Sequence, residues 1–235
     1  MKSSIAIMQP YLFPYIGYFQ LIHAVDTFVF YDDVHYIKRG WINRNKLLVQ
    51  GKESLFTVPL KEASQNKLIK ETYIQKSGKW EEKFFQTLAF NYKKAPYFLV
   101  VEALLKEIFK LEYETIADLA IHGIEKISHY LSLNTKFELS SEAYHETVGM
   151  EKADRLIAIT KQKGVIDYIN PSGGKELYEK SYFSDQGVRL HFIENNLVPY
   201  PQFRHPSVVG LSIIDVLMFN SKQETLHLIE QYKLN

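Results

Sequence analysis

The chain has no cysteine among its 235 residues. Disulfide bonds, thiolate nucleophiles and cysteine-ligated zinc are thereby excluded. No apolar run approaches the roughly 18 residues of a membrane-spanning helix. The N-terminus has no apolar stretch with a small-residue cleavage site of the kind a secretory signal carries. Neither sign of charge dominates: 28 Lys and Arg stand against 27 Asp and Glu, for a formal net charge of +1. That balance provides no overall field for nucleic acid or an anionic membrane surface, so neither is an expected partner. Internal repeats, low-complexity tracts and linker-like stretches are also missing. What remains is the expectation of a cytoplasmic globular chain, with an ordinary 46% hydrophobic and 23% charged content.

Aromatic residues, by contrast, are abundant: 16 Tyr and 15 Phe, many of them beside polar residues in the first segment. Rings that stack and hydroxyls that hydrogen-bond suit sugars and nucleotides. A tyrosine-rich core would use the same residues for packing alone.

The first thirty residues hold the clearest pattern. Ile5, Ile7 and Met8 belong to an apolar run closed by Gln9-Pro10, because proline cannot donate to a strand ladder. A Pro- and aromatic-rich turn follows. Helical periodicity then runs from Phe19 through Leu21 and Ile22 to Val25. A second apolar run, residues 27–31, stops at Asp32-Asp33. Strand, loop, helix and strand make one βαβ unit. In open α/β sheets ligands bind outside the carboxyl ends of the strands, where residues 9–18 and 32–44 fall.

Further strands are expected over 55–60, at an edge because of Pro59, and over 70–75, 136–140, 165–169 and 188–193. Helices are expected over 77–92, 97–109, 115–131, 151–163, 175–184, 211–219 and 224–232. Thr115 and Asp118 have the spacing of a capping box, with Asp in place of the usual Glu or Gln, and Gly164 ends the helix before it. The sum is a Rossmann-like α/β fold: a predominantly parallel sheet with helices on both faces. One domain over residues 1–235 with a largely helical insertion at about 77–131 is the simplest division.

Three stretches carry chemistry. In the run Asp32 to Tyr36, a continued strand puts Asp33 and His35 on one face and Asp32 on the other. A carboxylate beside an imidazole orients a general base, and two adjacent acids can hold a divalent cation; a turn-capping role is the alternative. In the run Lys38 to Lys46, Lys38, Arg39, Arg44, Asn43 and Asn45 surround Trp41. Arginine forks bind phosphate or carboxylate, and the indole offers a stacking face; an exposed basic loop is the alternative. Ser172, Gly173, Gly174 and Lys175 follow a strand and open a helix, so backbone N–H groups can approach an anion there, or the four form a plain turn. Ser140, Ser141 and Glu142 with nearby His145 lack a Gly-x-Ser-x-Gly elbow. Arg204 and His205 form a polar island before the last helices. No His-x-x-x-His spacing supports a zinc site, and no pattern specifies a cofactor.

The segments Met8 to Ile22, Tyr31 to Val34, Lys38 to Asn45, Ser172 to Lys175 and Leu211 to Leu217 together resemble the WbqC-like family of bacterial proteins. That family is associated with O-antigen and other surface-polysaccharide gene clusters. A more distant similarity is to nucleotidylyltransferases, whose first strand leads into a His-x-Gly-His loop; Tyr15 and Tyr18 stand at the places of the two histidines. Tyrosine donates a hydrogen bond but supplies no positive charge near neutral pH.

The resemblance does not fix the reaction; the ligand class that the tyrosines and the basic run suit points to a transferase on a nucleotide-activated amino sugar, by acyl or aminoacyl transfer to an amine. In that reading Gln9, Tyr11, Tyr15 and Tyr18 hold sugar or base, the basic run binds the diphosphate or another anionic small molecule, and Asp33 with His35 and Asp32 performs proton transfer. Magnesium-dependent nucleotidyl transfer and a non-enzymatic sugar-binding subunit are the alternatives.

Overall fold

A computed structural model describes residues 3–76, 78–203 and 206–235. Ser77, Arg204 and His205, expected at a helix start and in a polar island, lie outside the described residues. The chain opens with β1 (Ser4–Met8), α1 (Ile16–His23) and β2 (Thr27–Phe30), followed by β3 (Arg44–Val49) and β4 (Lys52–Thr57). Three helices come next: α2 (Trp80–Tyr92), α3 (Phe98–Lys110) and α4 (Ile116–Tyr130). Then come β5 (Lys136–Leu139), α5 (Ser140–Ala143), α6 (Lys152–Gln162), β6 (Asp167–Pro171), α7 (Lys180–Asp185) and β7 (Arg189–Asn195). The chain closes with α8 (Ile213–Phe219), α9 (Lys222–Ile229) and β8 (Tyr232–Leu234).

Six strands form one sheet in the order β5-β2-β1-β6-β7-β8. All its pairings are parallel except β7 with β8. The mostly parallel α/β fold read from the sequence is thus the fold observed, with β1 at the centre. Period-two alternation divides the core. Ile5, Ile7, Val29, Tyr168 and Leu190 face Leu156, Ile159 and Phe183 of α6 and α7. Ala6, Phe28, Phe30 and Ile169 face the opposite layer, with Phe19 of α1, Ile124 of α4 and Leu217 of α8. Strands covered on both faces are continuous apolar runs, as parallel sheets require.

Local signals explain several boundaries. Thr115 Oγ1 accepts from the Asp118 N–H at 3.2 Å, and Asp118 accepts from the Thr115 N–H at 2.9 Å, so Asp serves in the capping box. Gly164 ends α6 with φ at 76°.

Four expectations are corrected. The end of the basic run read over 38–46 is not loop: from Arg44 the chain is β3, paired antiparallel with β4 from Arg44 opposite Thr57 to Val49 opposite Lys52. Gln50 and Gly51 turn the hairpin with φ of 51° and 72°, the left-handed pair that a two-residue hairpin turn needs. Residues 70–75 meet the neighbouring segment only at a bridge between Leu60 and Ile74. The helix expected over 175–184 divides into a 3-10 turn (Ser172–Glu176) and α7. The last helix stops at Ile229, and Tyr232 enters an edge strand on β7. Among the described residues, no helix is long and apolar enough to cross a membrane.

Every residue of α8 is buried, including Asp215. Its carboxylate accepts from Tyr92 Oη at 2.6 Å, Tyr200 Oη at 2.7 Å and Gln202 Nε2 at 2.7 Å. Burial raises the carboxyl pKa, and the three donors oppose that shift. Tyr92 Oη also accepts from the Leu48 N–H at 2.8 Å, so one acid ties β3, α2, α8 and the segment around Tyr200 together. Asp215→Ala would leave three buried donors without their acceptor and should destabilise the fold by about 2–4 kcal/mol. Urea denaturation of the variant against the parent measures this; a change within experimental error would refute the assignment.

Candidate functional site

The sheet reverses direction at its centre. β2 and β5 lie on one side of β1, and β6 and β7 lie on the other. This switch point is where open α/β sheets part and bind ligands. β1 pairs with β2 along its length, from Ile5–Thr27 to Met8–Phe30. With β6 it pairs only at Ser4–Asp167 and Ile5–Tyr168, although β6 continues beside β7 to Pro171. The two central strands therefore separate toward their carboxyl ends.

The loop leaving β1 is fixed from both sides. Leu12 N–H donates to the Trp41 carbonyl at 3.1 Å. Asn45 Nδ2 donates to the Leu12 and Phe13 carbonyls at 3.0 and 2.9 Å, and Ser212 Oγ donates to the Phe13 carbonyl at 2.7 Å. These contacts hold Phe13 at φ 41°, a left-handed conformation that costs a non-glycine residue about 1–3 kcal/mol. Tyr15 then caps α1 without a side-chain hydrogen bond, and the first turn contains no acidic residue. That helix end carries partial positive charge suited to an anion. The half-buried Tyr15 ring folds over Gly17, where a Cβ would come within 2.3 Å of it. Tyr15 Oη donates to Asn195 Oδ1 at 3.4 Å. Tyr18 is core: it is 3% exposed and donates to the Gln9 carbonyl at 2.8 Å. Tyr11 is half-buried, with its ring 5.7 Å from that of Tyr18.

At the end of β2 both carboxylates are buried and filled. Asp33 Oδ2 accepts from Arg155 Nη2 at 2.6 Å, and Asp33 Oδ1 accepts from Ser140 Oγ at 2.5 Å. Asp32 Oδ1 accepts from Ser140 Oγ and the Ser141 N–H, each at 3.0 Å, and Asp32 Oδ2 accepts from Ser141 Oγ at 2.7 Å. Arg155 also donates from Nε to Thr147 Oγ1 at 3.0 Å and lies 4.8 Å from the Tyr31 ring centre. The expected Asp33–His35 pairing does not form. The strand stops at Phe30, His35 is exposed, and Asp33 turns inward to a guanidinium. A divalent cation on Asp33 would have to displace Arg155. Among the described residues, no group of three His, Asp or Glu is placed to hold a metal. His145 is exposed, with Nδ1 3.4 Å from the Glu142 carbonyl, and Ser140 Oγ serves the two aspartates, so no Ser-His-acid triad forms there.

The basic run is largely internal bracing. Asn43 accepts from Tyr36 Oη and donates to the Val58 carbonyl, both at 2.9 Å. Arg44 Nε donates to the Gly40 carbonyl at 3.0 Å and Nη2 to that of Arg39. Lys38, Arg39 and Trp41 stay exposed, and Lys46 pairs with Glu53 at 2.8 Å. On the β6 side, Ser172, Gly173 and Lys175 are exposed and Lys175 pairs with Glu194 at 2.7 Å. Gly174 admits the side chain of Asn170, whose Nδ2 would lie 1.8 Å from a Cβ at that position.

Tyr31, Asn170, Tyr178 and Arg155 were not among the candidate site residues, although Tyr31 opens one of the segments that carry the family resemblance. Tyr31, just past β2, and Tyr178, between the 3-10 turn after β6 and α7, are half-buried against the same cluster as Tyr168. Burial, foremost, raises both phenol pKa values. Arg155 did leave a signal, since it shares a helix face with Ile159, four residues on.

The WbqC-like protein family matches residues 9–227, and the chain belongs to that family. It is similar to the uncharacterized protein Rv1507c of Mycobacterium tuberculosis, with 27% identity over 93% of this chain and 94% of the relative. No solved structure matches the chain significantly.

The Arg155–Asp33 pair is nearly solvent-free, at 5% and 3% side-chain exposure. Arg155→Met should therefore destabilise the protein by about 3–5 kcal/mol, because it strands a buried carboxylate. Asp33→Leu combined with Arg155→Met should restore most of that loss. Denaturation midpoints of the parent, the Arg155→Met and Asp33→Leu single variants and the double variant test the pairing; additive losses would reject it.

Proposed function

We propose that this WbqC-like protein binds a nucleotide-activated amino sugar where β1 and β6 part, and transfers an acyl or aminoacyl group to the sugar's amine. Residues 1–235 would act as one α/β domain, with the helices between about 77 and 131 as an insertion. The observation that carries the reading is the separation of the central strands beside an uncapped, acid-free helix end. The phosphates would meet the first turn of α1, while the rings of Tyr15, Tyr31 and Tyr178 supply stacking faces and hydroxyls. Lys38 and Arg39 remain outward and would draw the anion in; Arg44 shapes their loop.

In the transfer, the amine nitrogen attacks the carbonyl of an activated acyl donor. The bond from that carbonyl to its leaving group breaks, and the amine loses one proton. With Asp33 committed to Arg155, we assign that proton to the exposed imidazole of His35. A carboxylate already engaged by a guanidinium makes magnesium-dependent nucleotidyl transfer the less supported chemistry.

Calorimetry with a panel of uridine- and thymidine-diphosphate amino sugars should show saturable binding of at least one. Tyr31→Ala should weaken it by about tenfold through loss of a stacking ring. Gly17→Ala should weaken it too, because the new methyl displaces the Tyr15 ring. His35→Ala should leave affinity intact and lower kcat by about 10²–10⁴-fold. If no nucleotide sugar binds, or both binding variants behave as the parent, the site is wrong; binding without turnover of any acyl donor would leave a binding subunit.

A further inference from the structure

A second site lies between the β3–β4 hairpin and α2. It is a cavity of about 350 Å³ walled by Phe13, Leu47, Phe56, Trp80, Phe84 and Phe109. A cavity of roughly 150 Å³ in a protein interior accepts benzene, so this one has room for a medium-length alkyl chain. Ser54, Thr57 and Thr87 add hydroxyls, and Lys83 is the single charged group among the described lining residues. Lys83 is exposed and has no ion-pair partner among the described residues. An apolar chamber with one unpaired ammonium at its wall fits an apolar tail ending in an anion.

Phe13, whose backbone is left-handed, forms the back wall, its ring stacked 6.1 Å from both Phe84 and Phe109. Gly123 of α4 clears the space behind it, where a Cβ would come within 3.0 Å of the ring.

We propose that this cavity is a binding site for a medium-chain alkanoate, its chain among the aromatic walls and its carboxylate on Lys83. The site is separate from the nucleotide-sugar reading and does not depend on it. Trp41 and Trp80 are the two tryptophans of the chain, so Trp41→Phe leaves Trp80 as sole reporter. In that background, titration with octanoate should shift Trp80 emission to saturation. Lys83→Met should weaken octanoate by about fivefold, the scale of a solvent-screened ion pair, while leaving octanol unchanged. Thr87→Phe, which fills the chamber, should abolish the response. The proposal is overturned by an emission change that never saturates, by octylamine binding as well as octanoate, or by a Lys83→Met protein with parental affinity. Lys83 is a surface residue, so that variant keeps the test decisive even if Thr87→Phe fails to fold.

Discussion

The carboxyl edge of the sheet depends on how the chain accommodates Asp32 and Asp33, two adjacent acids at the end of an apolar strand. Both are buried, and a buried carboxylate is tolerated only when its oxygens are paired and hydrogen-bonded. Ser140 and Ser141 supply donors from the end of β5, and Arg155 supplies a charge from α6. The guanidinium also engages Thr147 and lies near the face of Tyr31. One electrostatic requirement thus draws together β2, β5 and α6, and it sets where Tyr31 stands. In water, an exposed pair of the same kind would contribute little.

A second constraint acts on the loop that leaves β1. Its backbone carbonyls accept from Asn45 of the hairpin and from Ser212 of the segment before α8, and these contacts hold Phe13 in its strained turn. Phe13 points into the aromatic chamber under the hairpin, whereas Tyr15 lies over the first turn of α1. The loop therefore separates two environments: an apolar chamber on the side of α2 and α3, and the carboxyl edge of the sheet at the switch point. Asn43, Asn45 and Arg44, chemically suited to a ligand, are occupied in building this arrangement.

The fold was legible where one period governed a segment. The runs at 5–8 and 27–31 are covered on both faces and contain little but apolar residues, and they became the paired interior strands β1 and β2. The Thr115–Asp118 spacing named a helix start because a capping box is satisfied within four residues. A strand over 55–60 was legible and overlaps β4, but its partner β3 was hidden because Arg44, Asn45 and Lys46 mask the alternation and the inward Asn45 is polar. The last strand was hidden because three residues pairing with β7 leave no periodic signal of their own.

Sequence alone determined that a parallel sheet would form and that the loops after β1 and β2 would lie at its carboxyl edge, since those follow from local periodicity and chain order. It did not determine what each charged group would meet. Asp33 lies two residues from His35 but pairs with Arg155, 122 positions away, and Tyr18, expected to line the site, is core in the first turn of α1. Tertiary structure decided these because a buried charge takes the partner that packing brings within hydrogen-bond distance, and that distance is set by helices and strands far apart in the chain.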